Sequence, residues 1–142
     1  CQLRALRRRG RVSAIETILS PDVPAPAGHY AQAVAYKDLV FVSGQLAPRP
    51  DGSHTAGEPF TVQARQALDN LLAVLAAAGC GPADVLKVTA YLVGAAHWPD
   101  FNAIYAEVFG AHKPARAVVP VPELHHGYLV EIEAVAVRRK AV

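Results

Sequence analysis

The sequence predicts an α+β fold in which two helices pack on one face of a mixed β-sheet. Residues 59–78 and 98–109 repeat apolar side chains at helical spacing, and a glycine follows each stretch. The segments around them alternate apolar and polar residues or are continuously apolar, which is typical of strands. The predicted order is β-β-α-β-α-β-β, and 142 residues with 52% hydrophobic side chains suit one domain with a single core.

The first eleven residues differ in charge from the rest of the chain. They carry five arginines and no acid, whereas residues 12–142 carry 9 basic and 12 acidic side chains, a net charge of −3. We therefore divide the chain into a basic extension, residues 1–11, and a single domain, residues 12–142. A basic run can bind RNA or anionic lipid, but a solvated terminal extension is the commoner role.

Composition also limits which cellular compartment and which partners we expect. No stretch approaches 18 consecutive apolar residues, and the arginine-rich start lacks the apolar core of a signal peptide. Two cysteines, Cys1 and Cys80, form no metal-binding or redox motif. We therefore expect a cytoplasmic protein without a membrane segment. The acidic domain and an aromatic content of 7% argue against nucleic acid as a partner.

The first strands precede the first helix. The start of residues 12–28 predicts an edge strand, which the prolines that follow bring to an end. Residues 31–46 predict a β-hairpin with its turn at Lys37 and Asp38, and the second arm is apolar enough to be buried on both faces. Ser43 and Gly44 end this arm. A glycine here favours either a bulge or the close approach of a ligand to the backbone.

The first predicted helix, residues 59–78, carries one apolar stripe and is capped by Gly79. Its polar exceptions, Gln63 and Asn70, are expected to brace loops or cap the helix. The stripe consists of Val62, Ala67, Leu68, Leu71, Leu72, Leu75 and Ala78.

Residues 85–93 then predict a strand and residues 98–109 a second helix that Gly110 ends. Asn102 and Tyr105 are three residues apart and therefore lie on one face of this helix.

The C-terminal residues 114–139 predict two strands joined by a turn. In the last strand, alternate residues from Tyr128 to Ala136 form an apolar face, while the other face carries Glu131 and Glu133. Arg116 begins the partner strand, so an Arg and a Glu on paired strands can face one small site. An ordinary cross-strand ion pair explains the same residues.

Six segments resemble the RidA family, the YjgF/YER057c/UK114 group. This family adopts a chorismate-mutase-like fold and forms homotrimers with sites in the clefts between subunits, and the resemblance implies both for this chain. The segments are GHYAQAV at 28–34, FVSGQL at 41–46, QARQALDNL at 63–71, FNAIYAEVF at 101–109, PAR at 114–116 and VEIEAVA at 130–136.

The resemblance also implies a reaction: the hydrolysis of 2-aminoacrylate and 2-iminobutyrate to 2-keto acids and ammonia, without a cofactor. Arg116 would orient the substrate carboxylate with two parallel hydrogen bonds. Glu131 would hold the attacking water, accept its proton and return a proton to nitrogen. The implied substrate contacts are Tyr30, Ser43, Gly44, Asn102 and Tyr105.

Three residues depart from the pattern of this family. His29 and His125 stand where proline is usual, and Val118 stands where cysteine is often found. On an extended chain, His125 and His126 point to opposite sides and cannot bind one ion together, so we predict no metal site.

Two other functions remain open. One is a small-ligand-binding trimer without turnover, which keeps the pocket but not the chemistry. The other is an endoribonuclease acting on single-stranded RNA, whose only electrostatic support is the arginine-rich extension. Because Arg116 and Glu131 are both present, we rank hydrolysis first.

Overall fold

A computed structural model describes residues 14–139, which form a six-stranded mixed sheet with two helices on one face. The spatial order is β1-β2-β3-β6-β4-β5; β4 and β5 are parallel, and the other neighbouring pairs are antiparallel. The predicted α+β class and the predicted edge strand are confirmed, whereas the basic extension, residues 1–11, lies outside the described residues. The elements are β1 (Glu16–Ile18), β2 (Ala33–Tyr36), β3 (Leu39–Gln45), α1 (Phe60–Ala77), β4 (Val85–Val93), α2 (Trp98–Phe109), β5 (Ala115–Val121) and β6 (Val130–Val137).

The core lies between the sheet and the helices. Alternate residues of β6 are buried against α1, as the pattern predicts, because successive side chains of a strand point to opposite faces. The intervening residues, which include Glu131 and Glu133, are only partly buried. The last strand therefore has a core face beneath the helices and an open face that carries two carboxylates.

Helix α1 follows Pro59 and ends where Gly79 takes a left-handed conformation with φ of 80°. Most of its predicted stripe is buried, but Val62 is 39% exposed and Val74 is fully buried instead. Two polar side chains on the buried face brace loops as predicted. Asn70 Nδ2 donates to the carbonyl oxygens of residues 46 and 48, and Gln63 Oε1 accepts from the amide of residue 129.

Two predictions about the strands are wrong. β3 is not buried on both faces, since Leu39 and Phe41 are 39% and 42% exposed because the helices cover only one side of the sheet. The strands that carry Arg116 and Glu131 are not paired, because β4 lies between β5 and β6. Helix α2 crosses over the sheet between β4 and β5, and such a crossover makes these two strands parallel neighbours.

Candidate functional site

Glu131 lies on the open face of the sheet in a small pocket of about 290 Å³, with Gly44, Tyr91, Leu124 and Glu133 around it. Gly44 sits where the pairing of β3 with β6 becomes irregular. A Cβ at residue 44 would lie 3.0 Å from the carboxyl carbon of Glu131 and closer still to one carboxylate oxygen. Only glycine therefore leaves the carboxylate in its present position. Both the irregular pairing of the strands and the close approach of the Glu131 side chain thus occur at this residue.

The pocket favours a protonated Glu131 more than water does. Burial, followed by the charge of Glu133, raises the pKa of Glu131, and His125 acts in the opposite direction. The Tyr91 hydroxyl donates a hydrogen bond to Glu133, and this bond is the main reason that the pKa of Tyr91 is raised. A raised pKa brings a carboxyl group closer to the pH at which it can both accept and donate a proton, as a general acid and base must.

Arg116 lies in a second pocket of about 340 Å³ beside α2. Its Nη1 donates to Asn102 Oδ1 at 3.0 Å, and its guanidinium carbon lies 4.8 Å from the centre of the Tyr105 ring. Tyr105 is 6% exposed, and its hydroxyl has no hydrogen-bond partner among residues 14–139. Two side chains one helical turn apart thus hold the guanidinium in place.

Arg116 and Glu131 lie on opposite faces of the sheet. Residues directly opposite each other on neighbouring strands share a face. Arg116 of β5 lies opposite Val88 of β4, and Val88 in turn lies opposite Ala134 of β6. Both Val88 and Ala134 are buried beneath the helices. Glu131 lies opposite Tyr91 on the other face. The prediction that this Arg and Glu face one site within a chain is therefore wrong, because an intervening strand changes the register between them.

The remaining candidate residues are distributed between these regions. Tyr30 is 55% exposed and lines a third cavity of about 490 Å³, which shares Gly44 with the pocket of Glu131. The Ser43 hydroxyl donates to the carbonyl oxygen of Ala31 at 2.6 Å and is already engaged within the protein. One chain thus assembles two groups: Glu131 and Gly44, next to the cavity of Tyr30, and Arg116, Asn102 and Tyr105 on the helix-covered face.

His125 and His126 are closer together than an extended chain would allow. Residues 125–127 form a single 3₁₀ turn, and the two ring centres are 3.8 Å apart, so the expectation of opposed side chains is wrong. His126 takes a left-handed conformation with φ of 59°, which allows this approach. Across residues 14–139, no group of three or more His, Cys, Asp or Glu side chains is arranged to hold a metal ion.

Comparison with known proteins identifies the family. The family model described as Endoribonuclease L-PSP matches residues 20–138. This chain belongs to that family, the YjgF/RidA group. A RutC family protein of Pyrococcus horikoshii is 40% identical over 121 residues, which cover 85% of this chain and 96% of that protein. The 2-iminobutanoate/2-iminopropanoate deaminase of Escherichia coli is 35% identical over 127 residues, covering 87% and 98%.

A solved structure of this family shows the same fold. The crystal structure of E. coli TdcF with bound serine superposes with a TM-score of 0.82 at 33% identity, covering 87% of this chain and 99% of that one. The resemblance of the six segments to the RidA family is thereby confirmed. Within residues 14–139, no helix of this RidA-family chain is long and apolar enough to cross a membrane.

Sequence reasoning about this RidA-family chain did not select two groups beside Glu131. Tyr91 lies in β4, and the local sequence pattern does not show which strands pair with β4. Its position opposite Glu131 therefore becomes known only from the order of strands in the sheet. Glu133 was visible as the second carboxylate of the last strand, and its place two residues from Glu131 on the same face was the available signal.

Proposed function

We propose that this protein hydrolyses 2-imino acids and their enamine tautomers to 2-keto acids and ammonia. The observation that carries the proposal is Glu131, a partly buried carboxyl group with a raised pKa, held beside the bare backbone of Gly44. A braced arginine in a separate pocket supplies a cation suited to a substrate carboxylate. The relationship to an E. coli 2-iminobutanoate/2-iminopropanoate deaminase supports this choice of substrate.

The proposed site is completed by a second copy of the chain. A 2-imino acid places its carboxylate one bond from its reacting carbon, whereas Arg116 and Glu131 of one chain lie on opposite faces of the sheet. One substrate can meet both residues only if they come from different subunits. The open face also exposes Leu39, Phe41 and Val119, which a neighbouring subunit would cover. A homotrimer with sites between subunits, which the family resemblance implies, satisfies both requirements.

The reaction uses these residues in a simple order. Arg116 binds the substrate carboxylate by two parallel hydrogen bonds, and Asn102 and Tyr105 keep its guanidinium in position. Glu131 accepts a proton as the oxygen of water attacks the imine carbon. It returns that proton to the nitrogen, and it then accepts the hydroxyl proton as the C=O bond forms, the C–N bond breaks and ammonia leaves. One water is consumed and one ammonia released, and the protonated imine is electrophilic enough that we expect no cofactor.

The test is a mixture of two inactive variants. An amino-acid oxidase generates the imine in situ, and keto-acid formation is measured for wild type, Arg116→Ala, Glu131→Gln and a co-refolded 1:1 mixture of both variants. If each site takes Arg116 from one subunit and Glu131 from the next, random trimers regain about one quarter of wild-type activity. Activity no higher than that of either variant alone would contradict the shared site. No acceleration by wild type would reject hydrolysis.

A ligand-binding trimer without turnover is the second candidate. It is favoured by the serine bound in the E. coli TdcF structure, a relative of the same fold. In that case the wild-type protein binds small amino or keto acids but leaves the rate of imine decay unchanged. The endoribonuclease alternative predicts RNA cleavage that Glu131→Gln abolishes, which incubation with a single-stranded oligonucleotide measures.

A further inference from the structure

The cavity that Tyr30 and Gly44 line also carries histidines to which the proposed hydrolysis gives no role. Its volume, about 490 Å³, exceeds that of the Glu131 pocket and lies in the range typical of small-molecule sites. The two cavities share Gly44 as a wall. The two cavities therefore adjoin each other at Gly44.

The walls of this cavity differ in chemistry. One side is apolar, and the facing side carries three imidazoles and the Tyr128 hydroxyl. Of the residues in the described part of the chain that line it, none is Lys, Arg, Asp or Glu. The apolar side is built by Val23, Pro24, Ala25, Ala27, Leu46 and Pro48.

The imidazoles form a continuous cluster. His54 Nδ1 lies 2.6 Å from the Tyr128 hydroxyl, which fixes the orientation of this ring. The ring centre of His126 is 4.9 Å from that of His54 and 3.8 Å from that of His125. His125 and His126 are exposed at the rim, where they can meet an entering ligand.

The backbone at His126 carries a conformational cost. Its φ of 59° is uncommon for any residue but glycine, and such a conformation costs on the order of one to a few times thermal energy. Glycine or asparagine would adopt this backbone more readily than histidine. The turn instead brings the His126 ring between those of His54 and His125.

A bound anion would favour protonation of His126, which its surroundings oppose. Burial, followed by the proximity of His125 and His54, lowers the pKa of His126. Two charged groups outside the cavity lining act on this region: Glu131 interacts with His125, and Arg49, which is paired with Glu58, acts on Tyr128.

We propose that this cavity binds an organic anion whose acidic group accepts hydrogen bonds from His125 and His126 and whose hydrocarbon part lies on the apolar wall. The acidic group has two possible sources: the side chain of a dicarboxylic imino acid that reacts at Glu131, or a free organic acid. The anion site itself rests only on the cavity and the histidines. Its use by the substrate side chain rests on the proposed hydrolysis.

Glutarate, a five-carbon dicarboxylate that cannot react, tests the anion site by calorimetric titration of the full-length protein. The matched variant is the double change His125→Asn and His126→Asn, because asparagine tolerates the left-handed backbone of residue 126 and removes both rings. We expect wild type to bind glutarate and the double variant to bind it about tenfold more weakly, the effect of losing hydrogen bonds to a charged group. His97→Asn, which alters a ring stacked on Phe60 outside the cavity, should bind like wild type.

A second arm distinguishes the two sources. The oxidase-coupled assay compares 2-iminoglutarate from glutamate with 2-iminopentanoate from norvaline, which has the same length and no second carboxylate. If the substrate side chain occupies the cavity, the ratio of kcat/KM for these imines falls about tenfold in the double variant. An unchanged ratio, together with weakened glutarate binding, assigns the cavity to a free acid. Absence of glutarate binding to folded wild type overturns the anion site, whether or not imines are hydrolysed.

Discussion

The two faces of the sheet differ in how completely one chain builds them. On the helix-covered face, Arg116 is held by Asn102 and stacks near Tyr105, so the cation and its supports all come from the same chain. On the open face, Glu131 lies among Gly44, Tyr91 and Glu133, and nothing in the described chain covers the apolar side chains around it. In the proposed hydrolysis, the covered face binds the substrate carboxylate and the open face exchanges the proton.

This difference separates binding from chemistry. A change on the covered face alters how firmly the guanidinium is held and should act mainly on KM. A change on the open face alters the position or the pKa of Glu131 and should act on kcat or on its pH dependence. The following variants test this separation.

Gly44→Ala should have the largest effect. A methyl group at residue 44 would occupy the place of the Glu131 carboxylate, which must then move by about 1 Å or more. A displacement of this size lowers kcat about a hundredfold with a smaller change in KM. Steady-state assays measure this, with Gly81→Ala as the control, because a Cβ at residue 81 meets nothing within 4 Å. A fully active Gly44→Ala enzyme would show that the Glu131 carboxylate is not positioned by this contact.

Asn102→Ala should affect the other face. It removes the acceptor that holds Arg116 Nη1 at 3.0 Å and leaves the charge of the guanidinium intact. We expect KM to rise about fivefold with little change in kcat, since the hydrogen bond is partly exposed to water. Glu107→Ala is the control. Glu107 lies on the same helix as Asn102, and its removal breaks an exposed ion pair with Arg65 of α1. A loss confined to kcat would contradict the assignment of this face to substrate binding.

Glu133→Gln should change the pH dependence and not the maximum rate. The charge of Glu133 contributes to the raised pKa of Glu131, so its removal lowers that pKa. The acidic limb of the kcat/KM profile, which reports the base in the free enzyme, should therefore move to lower pH. Tyr91→Phe is the matched variant, because it removes the hydrogen bond to Glu133 and keeps the carboxylate charge. If both variants move the limb equally, hydrogen bonding and not charge controls Glu131.

The sequence predicted local features better than it predicted the site. The bounds of α1 and α2 and the alternation in β6 follow from periodicity, which depends only on neighbouring residues. The roles of Gln63 and Asn70 as loop braces were also predictable, because a polar side chain on an apolar helix face requires a partner.

The relation between Arg116 and Glu131 could not be predicted in the same way. Each residue lines a pocket, but the face on which it lies depends on β4, which enters the sheet between β5 and β6 from an earlier part of the chain. Strand order is a non-local property that periodicity does not contain. The contact of His125 with His126 was not predicted, because we assumed an extended chain at these adjacent residues. The structure has a short 3₁₀ turn there instead.

Glu131→Gln should have the smallest effect, a small change in melting temperature. The sign of that change distinguishes the open face from an ordinary ion-paired surface. Because burial raises the pKa of Glu131, the folded state binds its proton more tightly than the unfolded state does. This contribution to stability is present below the unfolded pKa, about 4.5, and is lost as the pH rises through the folded pKa. At pH 7 the variant should therefore melt at a higher temperature than wild type, and the difference should shrink as the pH falls below about 4.5, where the native side chain also becomes neutral. Melting curves at both pH values measure this. A variant less stable than wild type at pH 7 would mean that a partner stabilises the charged carboxylate, and Glu131 would then belong with the surface ion pairs and not with a proton-exchanging site.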